Sequence, residues 1–198
     1  MKRIIKIKSL LELLIVAVVL VFTSCEADSR TSANLRAKVE SLQNELKRLK
    51  DERATTELRL AKFDSLDFDY YNNQKWDMLS RSHADDIKCY YPDGGTSTGL
   101  YPQHIDQLKP IFVFAPDTKC KTHVARFGSG EWTCVIEETE GTFSRPMPIG
   151  NGKSIAPTGK HFKFSLATVG HWGPDEKMNE EYLFWDNLSL LKQIGLAK

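Results

Sequence analysis

The sequence predicts an α+β fold, a curved and largely antiparallel sheet packed by preceding helices around a cavity. Two observations carry that expectation. Helical patterns dominate up to about residue 114, and alternating apolar–polar patterns separated by glycine- and proline-rich turns dominate after it. With 198 residues, 41% hydrophobic and 27% charged, the chain is large enough for one domain with a core and has globular composition.

The N-terminus reads as a targeting segment. Lys2, Arg3, Lys6 and Lys8 precede an unbroken apolar run, Leu13 to Phe22. That run is short of the about 20 residues a membrane-spanning helix needs. Phe22-Thr23-Ser24-Cys25 follows and resembles a bacterial lipobox, with Phe22 in place of the usual Leu. Residues 1–24 are therefore expected to be a lipoprotein-type signal peptide, with Cys25 carrying the lipid. The other reading is an uncleaved anchor, and both place the domain outside the cytoplasm, at a bacterial cell envelope. Four of the 27 Lys/Arg and one of the 26 acids lie in residues 1–24, which leaves 23 basic against 25 acidic residues. That balance carries no electrostatic footprint for nucleic acid.

Residues 25–34 are small and polar, as in a flexible tether. Leu35, Val39, Leu42, Leu46 and Leu49 then alternate in steps of four and three, as coiled-coil core positions do. The register falters at Arg53 and Thr56 and resumes at Leu60 and Phe63. Residues 35–63 are expected to form a stalk, which at 1.5 Å per residue reaches about 40 Å and favours a homo-oligomer. A lone amphipathic helix is the alternative.

The domain is expected over residues 64–198. Residues 69–81 have helical character, and Ile87, Cys89 and Tyr91 alternate as in a strand before the Pro92-Asp93-Gly94-Gly95 turn. Residues 102–114 form a helical pattern that Pro110 should kink. Strand patterns at 121–127 and 131–139 flank Gly128-Ser129-Gly130, a hairpin signal. A loop rich in glycine and proline covers 146–159, His161 to Trp172 alternates clearly, and 180–185 is the last strand, followed by a short helix over 187–194. Cys120 and Cys134 flank the hairpin and are the natural pair if one disulfide forms; three buried thiols are the alternative.

No metal site is expected. In a strand pattern Cys120 and His123, three apart, point to opposite faces, and no second ligand pair accompanies them. Acid–base chemistry remains. Asp186 ends the aromatic last strand and shares a face with Tyr182 and Phe184, where a carboxylate among aromatic walls would be a strengthened base. It could equally cap the following helix. His104, one helical turn from Leu108, could face the cavity, and His123 could point either way.

Residues 69–196 resemble the SnoaL-like polyketide cyclase (ester cyclase) family of the nuclear-transport-factor-2-like superfamily. The matching pieces are His83-Ala84-Asp85-Asp86, Pro92-Asp93-Gly94, Gly141-Thr142-Phe143, Pro157-Thr158-Gly159-Lys160, Glu181 to Asn187, and Gln193-Ile194-Gly195. The resemblance implies a cone: a strongly curved mixed sheet closed by N-terminal helices around a pocket. It also implies cofactor-independent ring closure, with Asp186 as general acid/base on a small hydrophobic carbonyl compound. On that reading His104 or His123 would position a substrate oxygen, and Tyr182, Phe184 and Trp132 would line the pocket. A non-catalytic ligand-binding or scaffold lipoprotein of the same fold is the alternative.

Overall fold

The computed structural model describes residues 31–198. The expected signal peptide, the lipidation residue Cys25 and most of the expected tether lie outside the described residues. Among the described residues no helix is long and apolar enough to cross a membrane. The chain divides into two compact units, Met1–Asp51 and Glu52–Lys198.

In the first unit, the described residues belong to helix α1, whose bounds are Lys2–Ser65. The end of the expected tether, residues 31–34, is helical. Leu35, Val39, Leu42, Leu46 and Leu49 form an apolar stripe, each 49–62% exposed.

The second unit starts earlier than the heptad pattern suggests, because the last turns of α1 are part of the domain core. Phe63 is 1% exposed and meets the Trp172 ring edge-on at 5.9 Å. The buried Arg59 guanidinium donates to both carboxylate oxygens of Glu176 at 2.9 and 3.0 Å and to the Gly130 carbonyl at 2.6 Å. Leu60 and Phe63 therefore satisfy the apolar register by packing inward rather than along a coil.

The helix expected at 69–81 is two short pieces, a π turn at Leu66–Tyr71 and a 3-10 turn at Trp76–Arg81. Three amide side chains, Asn72-Asn73-Gln74, separate them. Asn73 bonds back to the Asp69 carbonyl at 2.8 Å, and Gln74 takes a left-handed φ of 54°. Side-chain amides that compete for backbone partners end helices in this way.

Eight strands follow: β1 (His83–Tyr90), β2 (Thr96–Thr98), β3 (Lys119–Ser129), β4 (Trp132–Thr142), β5 (Met147–Gly150), β6 (Lys153–Ile155), β7 (His161–Trp172) and β8 (Met178–Phe184). Six form one mixed sheet in the order β2-β1-β8-β7-β4-β3, in which only the β1–β8 pairing is parallel. The expected loop at 146–159 contains the β5–β6 hairpin, turned by Asn151-Gly152 with φ of 50° and 69°. That is the residue pair a tight hairpin with two left-handed positions requires.

Between β2 and β3 the chain runs through a turn at Leu100–His104, then α2 (Ile105–Leu108) and α3 (Pro110–Phe114), broken at Pro110 as the sequence suggests. Helix α4 (Asn187–Gln193) closes the fold, stopped by Gly195 at φ 81° with Leu196 N–H bonded to the Leu191 carbonyl.

Cys89, Cys120 and Cys134 are free thiols. Cys120 and Cys134 stand at opposite ends of the β3–β4 ladder, opposite Thr139 and Phe127 respectively, too far apart along the strands to bridge.

Truncating a fully packed core ring costs about 3–5 kcal/mol. Phe63→Ala should therefore lower the unfolding free energy of the domain by about that much in urea titration. Leu46→Ala should leave the domain transition where it is.

Candidate functional site

The concave face of the sheet and the helical segments enclose a cavity of about 230 Å³. Leu66, Leu108, Phe164, Leu166, Leu183 and Trp185 give it a mainly apolar lining. Besides the phenols of Tyr71 and Tyr91, five acid–base groups nevertheless face it: Asp67, His83, His104, Glu137 and Glu181.

Strand parity decides which residues of β8 enter. Met178, Glu181 and Leu183 are buried, while Phe184 is 55% exposed. The alternation is the one the sequence predicts, but the inward face is the opposite one. Tyr182 lies outside, stacked on Tyr90 at 4.4 Å and donating to Glu180 at 2.7 Å, an interaction that pushes its hydroxyl up to about 12. Trp132 is 45% exposed at the outer end of β4, near His171 and Tyr182. None of Tyr182, Phe184 and Trp132 lines the cavity.

Asp186 does not line it either. It sits exposed at the N-terminus of α4, and its Oδ1 accepts from the Ser189 backbone N–H at 3.0 Å. Of its two expected roles the structure realises the helix cap, because the chain leaves the sheet at Phe184 and turns outward before Asp186.

The residue that does present a carboxylate from the last strand is Glu181, five positions earlier and on the inward face. Its Oε2 is 3.3 Å from His104 Nε2, and its Oε1 is 3.7 Å from His83 Nε2. The Cys89 thiol donates to Oε2 at 3.5 Å. His104 is thus in the cavity as expected, buried by the turn before α2 and joined through Nδ1 to the Tyr91 hydroxyl at 2.9 Å, which in turn meets Ser97 Oγ at 2.9 Å. Burial lowers His104 to about 4, against the opposing pull of Glu181. Burial would raise Glu181, but the neighbouring His83 and His104, with the Cys89 thiol, outweigh that and hold it below the usual carboxylate range.

A second group lies on the other wall. Asp67, from the π turn, and Glu137, from β4, are pushed up to about 8. For both, burial is the main cause. The charges of Glu181 and Asp64 add to it at Asp67, and the charge of Asp67 adds to it at Glu137. Thr139 donates to Glu137 at 2.8 Å. His123 stands behind this pair rather than in the cavity, with Nδ1 at 3.0 Å from Asp64 and Nε2 at 2.8 Å from Asp67. Arg126 holds Asp64 from the solvent side.

The Cys120–His123 expectation also needs correction. A register shift between Cys120 and Thr122 resets the alternation of β3, so Cys120 and His123 point to the same side, their ligand atoms within 4.8 Å of Asp67 and Glu137.

A curved mixed sheet over a mainly apolar cavity, with two sets of buried acid–base groups, defines an α+β pocket fold of the ketosteroid-isomerase-like kind. The chain belongs to the SnoaL-like polyketide cyclase family, whose pattern matches residues 66–194. Among solved structures it is similar to a candidate SnoaL-like polyketide cyclase from Jannaschia sp. CCS1, with TM-score 0.61 and 16% identity over 72% of this chain and 95% of that one. It is also similar to AclR, a candidate hydroxylase from Streptomyces galilaeus (TM-score 0.59, 15% identity, 72% and 99% covered). IdmH, a candidate polyketide cyclase from Streptomyces antibioticus, gives 0.57 and 18% over 69% and 98%. No curated protein matches the chain.

Two outcomes follow from these contacts. Loss of the α4 cap in Asp186→Ala should cost ~1 kcal/mol in urea unfolding, with Asp186→Asn near zero, since asparagine caps as well. The second concerns pH. A carboxyl whose folded value lies above its unfolded one binds more protons in the folded state, so its contribution is lost as pH rises through the folded value. His104, with its lowered value, acts below about pH 6.5, where the unfolded imidazole takes up its proton. Between pH 6.5 and 8, stability should therefore fall with rising pH through Asp67 and Glu137. Glu137→Gln should flatten that slope in chemical denaturation measured at each pH.

Proposed function

We propose that the protein is an ester- or polyketide-cyclase-type enzyme that moves a proton on a small hydrophobic carbonyl compound held in the cavity. The observation that supports it best is the buried carboxyl pair Asp67–Glu137, raised to about 8 on the cavity wall. A carboxyl that titrates near neutrality exchanges protons in both directions at little cost, the condition general acid–base catalysis requires.

In this reading the ionised member of the pair takes a proton from the carbon between two carbonyl groups. The electron pair of that C–H bond becomes an enolate. The enolate carbon bonds to a second carbonyl carbon of the same molecule, and the resulting alkoxide takes the proton of the other carboxyl. One C–C and one O–H bond form while one C–H and one C=O π bond break, so the product is an isomer of the substrate. The apolar lining excludes water that would otherwise quench the enolate.

The test is deuterium exchange at the central carbon of a panel of apolar β-ketoesters, followed by mass spectrometry in D₂O. The expected result is protein-dependent exchange that falls at least about 100-fold in Glu137→Gln and Asp67→Asn, the scale of a lost general base. Asp186→Asn should exchange at the wild-type rate. Exchange that survives both carboxamide variants in folded protein overturns the reading.

The envelope location and self-association belong to the same proposal. Lipid on Cys25 would tether the domain, and the exposed stripe Leu35–Val39–Leu42–Leu46–Leu49 would pair with that of a second copy. Metabolic labelling with a palmitate analogue should mark wild type and not Cys25→Ala. Sedimentation should show a dimer or larger species that Leu42→Asp/Leu46→Asp converts to monomer.

A further inference from the structure

We propose that His83, His104 and Glu181 form a binding site for a divalent first-row transition metal on the wall of the cavity. The site goes beyond the proton-transfer reading above, which uses Asp67 and Glu137, and it stands without it.

The strongest observation is His83 Nε2. The ring is 1% exposed, and this nitrogen is the buried side-chain polar atom without a hydrogen-bond partner among the described residues. The opposite nitrogen fixes its chemistry. Nδ1 lies 3.1 Å from the Leu79 carbonyl and 3.0 Å from Ser82 Oγ. The single hydroxyl hydrogen of Ser82 is donated to the same Leu79 carbonyl, at 3.2 Å. Both neighbours of Nδ1 are therefore acceptors, and this network assigns the proton to Nδ1. In the neutral ring Nε2 then carries a bare lone pair. It points at Glu181 Oε1, 3.7 Å away, itself a lone-pair atom. Two buried acceptors facing one another leave a place for a cation, taken either by a proton, which gives the charge interaction with Glu181, or by a metal ion that displaces it.

A third donor completes the set. His104 Nε2 is 3.3 Å from Glu181 Oε2, and all three ligand groups have atoms within 4.8 Å of one another. A metal about 2.1 Å from each donor holds neighbouring donors roughly 3 to 3.5 Å apart, so only a small closure is needed. Both imidazoles have the outer partners that metal-bound histidines use: a backbone carbonyl for His83, and Tyr91 backed by Ser97 for His104. Rotation of the Tyr91 hydroxyl hydrogen toward Ser97 lets His104 carry its proton on Nδ1 and free Nε2. Two imidazoles and one carboxylate suit zinc, iron, cobalt or nickel and leave a coordination position open to the cavity.

The other convergent group, Asp67, Cys120, His123 and Glu137, is a weaker candidate. Both nitrogens of its histidine are already bonded to carboxylates, and Glu137 is bonded to Thr139.

The test uses the full chain, stripped with EDTA and titrated with Co(II) alone. One equivalent per chain should bind, with visible d–d absorption. Proton NMR of the cobalt form should show two solvent-exchangeable, paramagnetically shifted imidazole N–H resonances, from His83 and His104. That readout needs no variant, so it decides the matter even if His83→Gln does not fold. In folded variants, His83→Gln and Glu181→Gln should weaken Co(II) by more than the roughly 10–100-fold that losing an outer partner costs, and Tyr91→Phe should fall within that range. Glu137→Gln and His123→Gln should bind as wild type. No Co(II) bound at millimolar concentration, fewer than two shifted imidazole resonances, or a loss that follows His123→Gln instead would overturn the proposal.

Discussion

Burial of the Glu181 carboxylate is the constraint around which the domain is arranged. An ionised group in a mainly apolar cavity is costly unless it is surrounded by donors or positive charge. Its surroundings are drawn from two distant parts of the chain: His83 and Cys89 on β1, and His104 from the turn before α2. The parallel β1–β8 ladder places Cys89 directly opposite Glu181. The sheet order and the position of the Leu100–His104 turn are therefore tied to the same contact that shapes the polar wall.

On the opposite wall burial outweighs the compensation that His123 gives Asp67 and Thr139 gives Glu137. Asp67 and Glu137 are neighbours of like kind, and neither has a cation of the Arg or Lys type against it. Burial pushes both up, where the histidines pull Glu181 down. One cavity thus carries a carboxylate held below the usual range at one end and a carboxyl pair held above it at the other. That separation arises from which elements face each group, since the three side chains differ by no more than a methylene.

Much of the architecture was legible in the sequence. The alternation in β7 gives that strand to the residue, the Gly128-Ser129-Gly130 hairpin gives β3 and β4 with ends that run further than expected, and Pro110 marks the break between α2 and α3. The site was less legible, for one reason repeated. Period-two alternation says which residues share a face but not which face is inside. On β8 the aromatic residues Tyr182 and Phe184 outweigh Glu181 and Leu183 by hydropathy, and they lie outside. A signal was present in the pairing of Leu183 with Trp185 on the Glu181 face, both of which line the cavity. On β3 a one-residue bulge, invisible in composition, brings Cys120 and His123 to one side. In α1 the apolar repeat that falters at Arg53 and Thr56 resumes at Leu60 and Phe63, but these two pack into the domain core while Leu35 to Leu49 stay exposed.

The parallel pairing of β1 with β8 has a consequence for the order in which the molecule can assemble. β1 lies between β2, three residues long, and β8, whose Glu181 stands 92 residues along the chain from Cys89. In the antiparallel block β3–β4–β7, β3 and β4 form a hairpin and the short β5–β6 hairpin lies between β4 and β7. β1 must wait for β8 before it gains its main partner, a long-range closure of the kind that slows folding. The wall that joins His83 and Cys89 to Glu181 is therefore completed only by that closure.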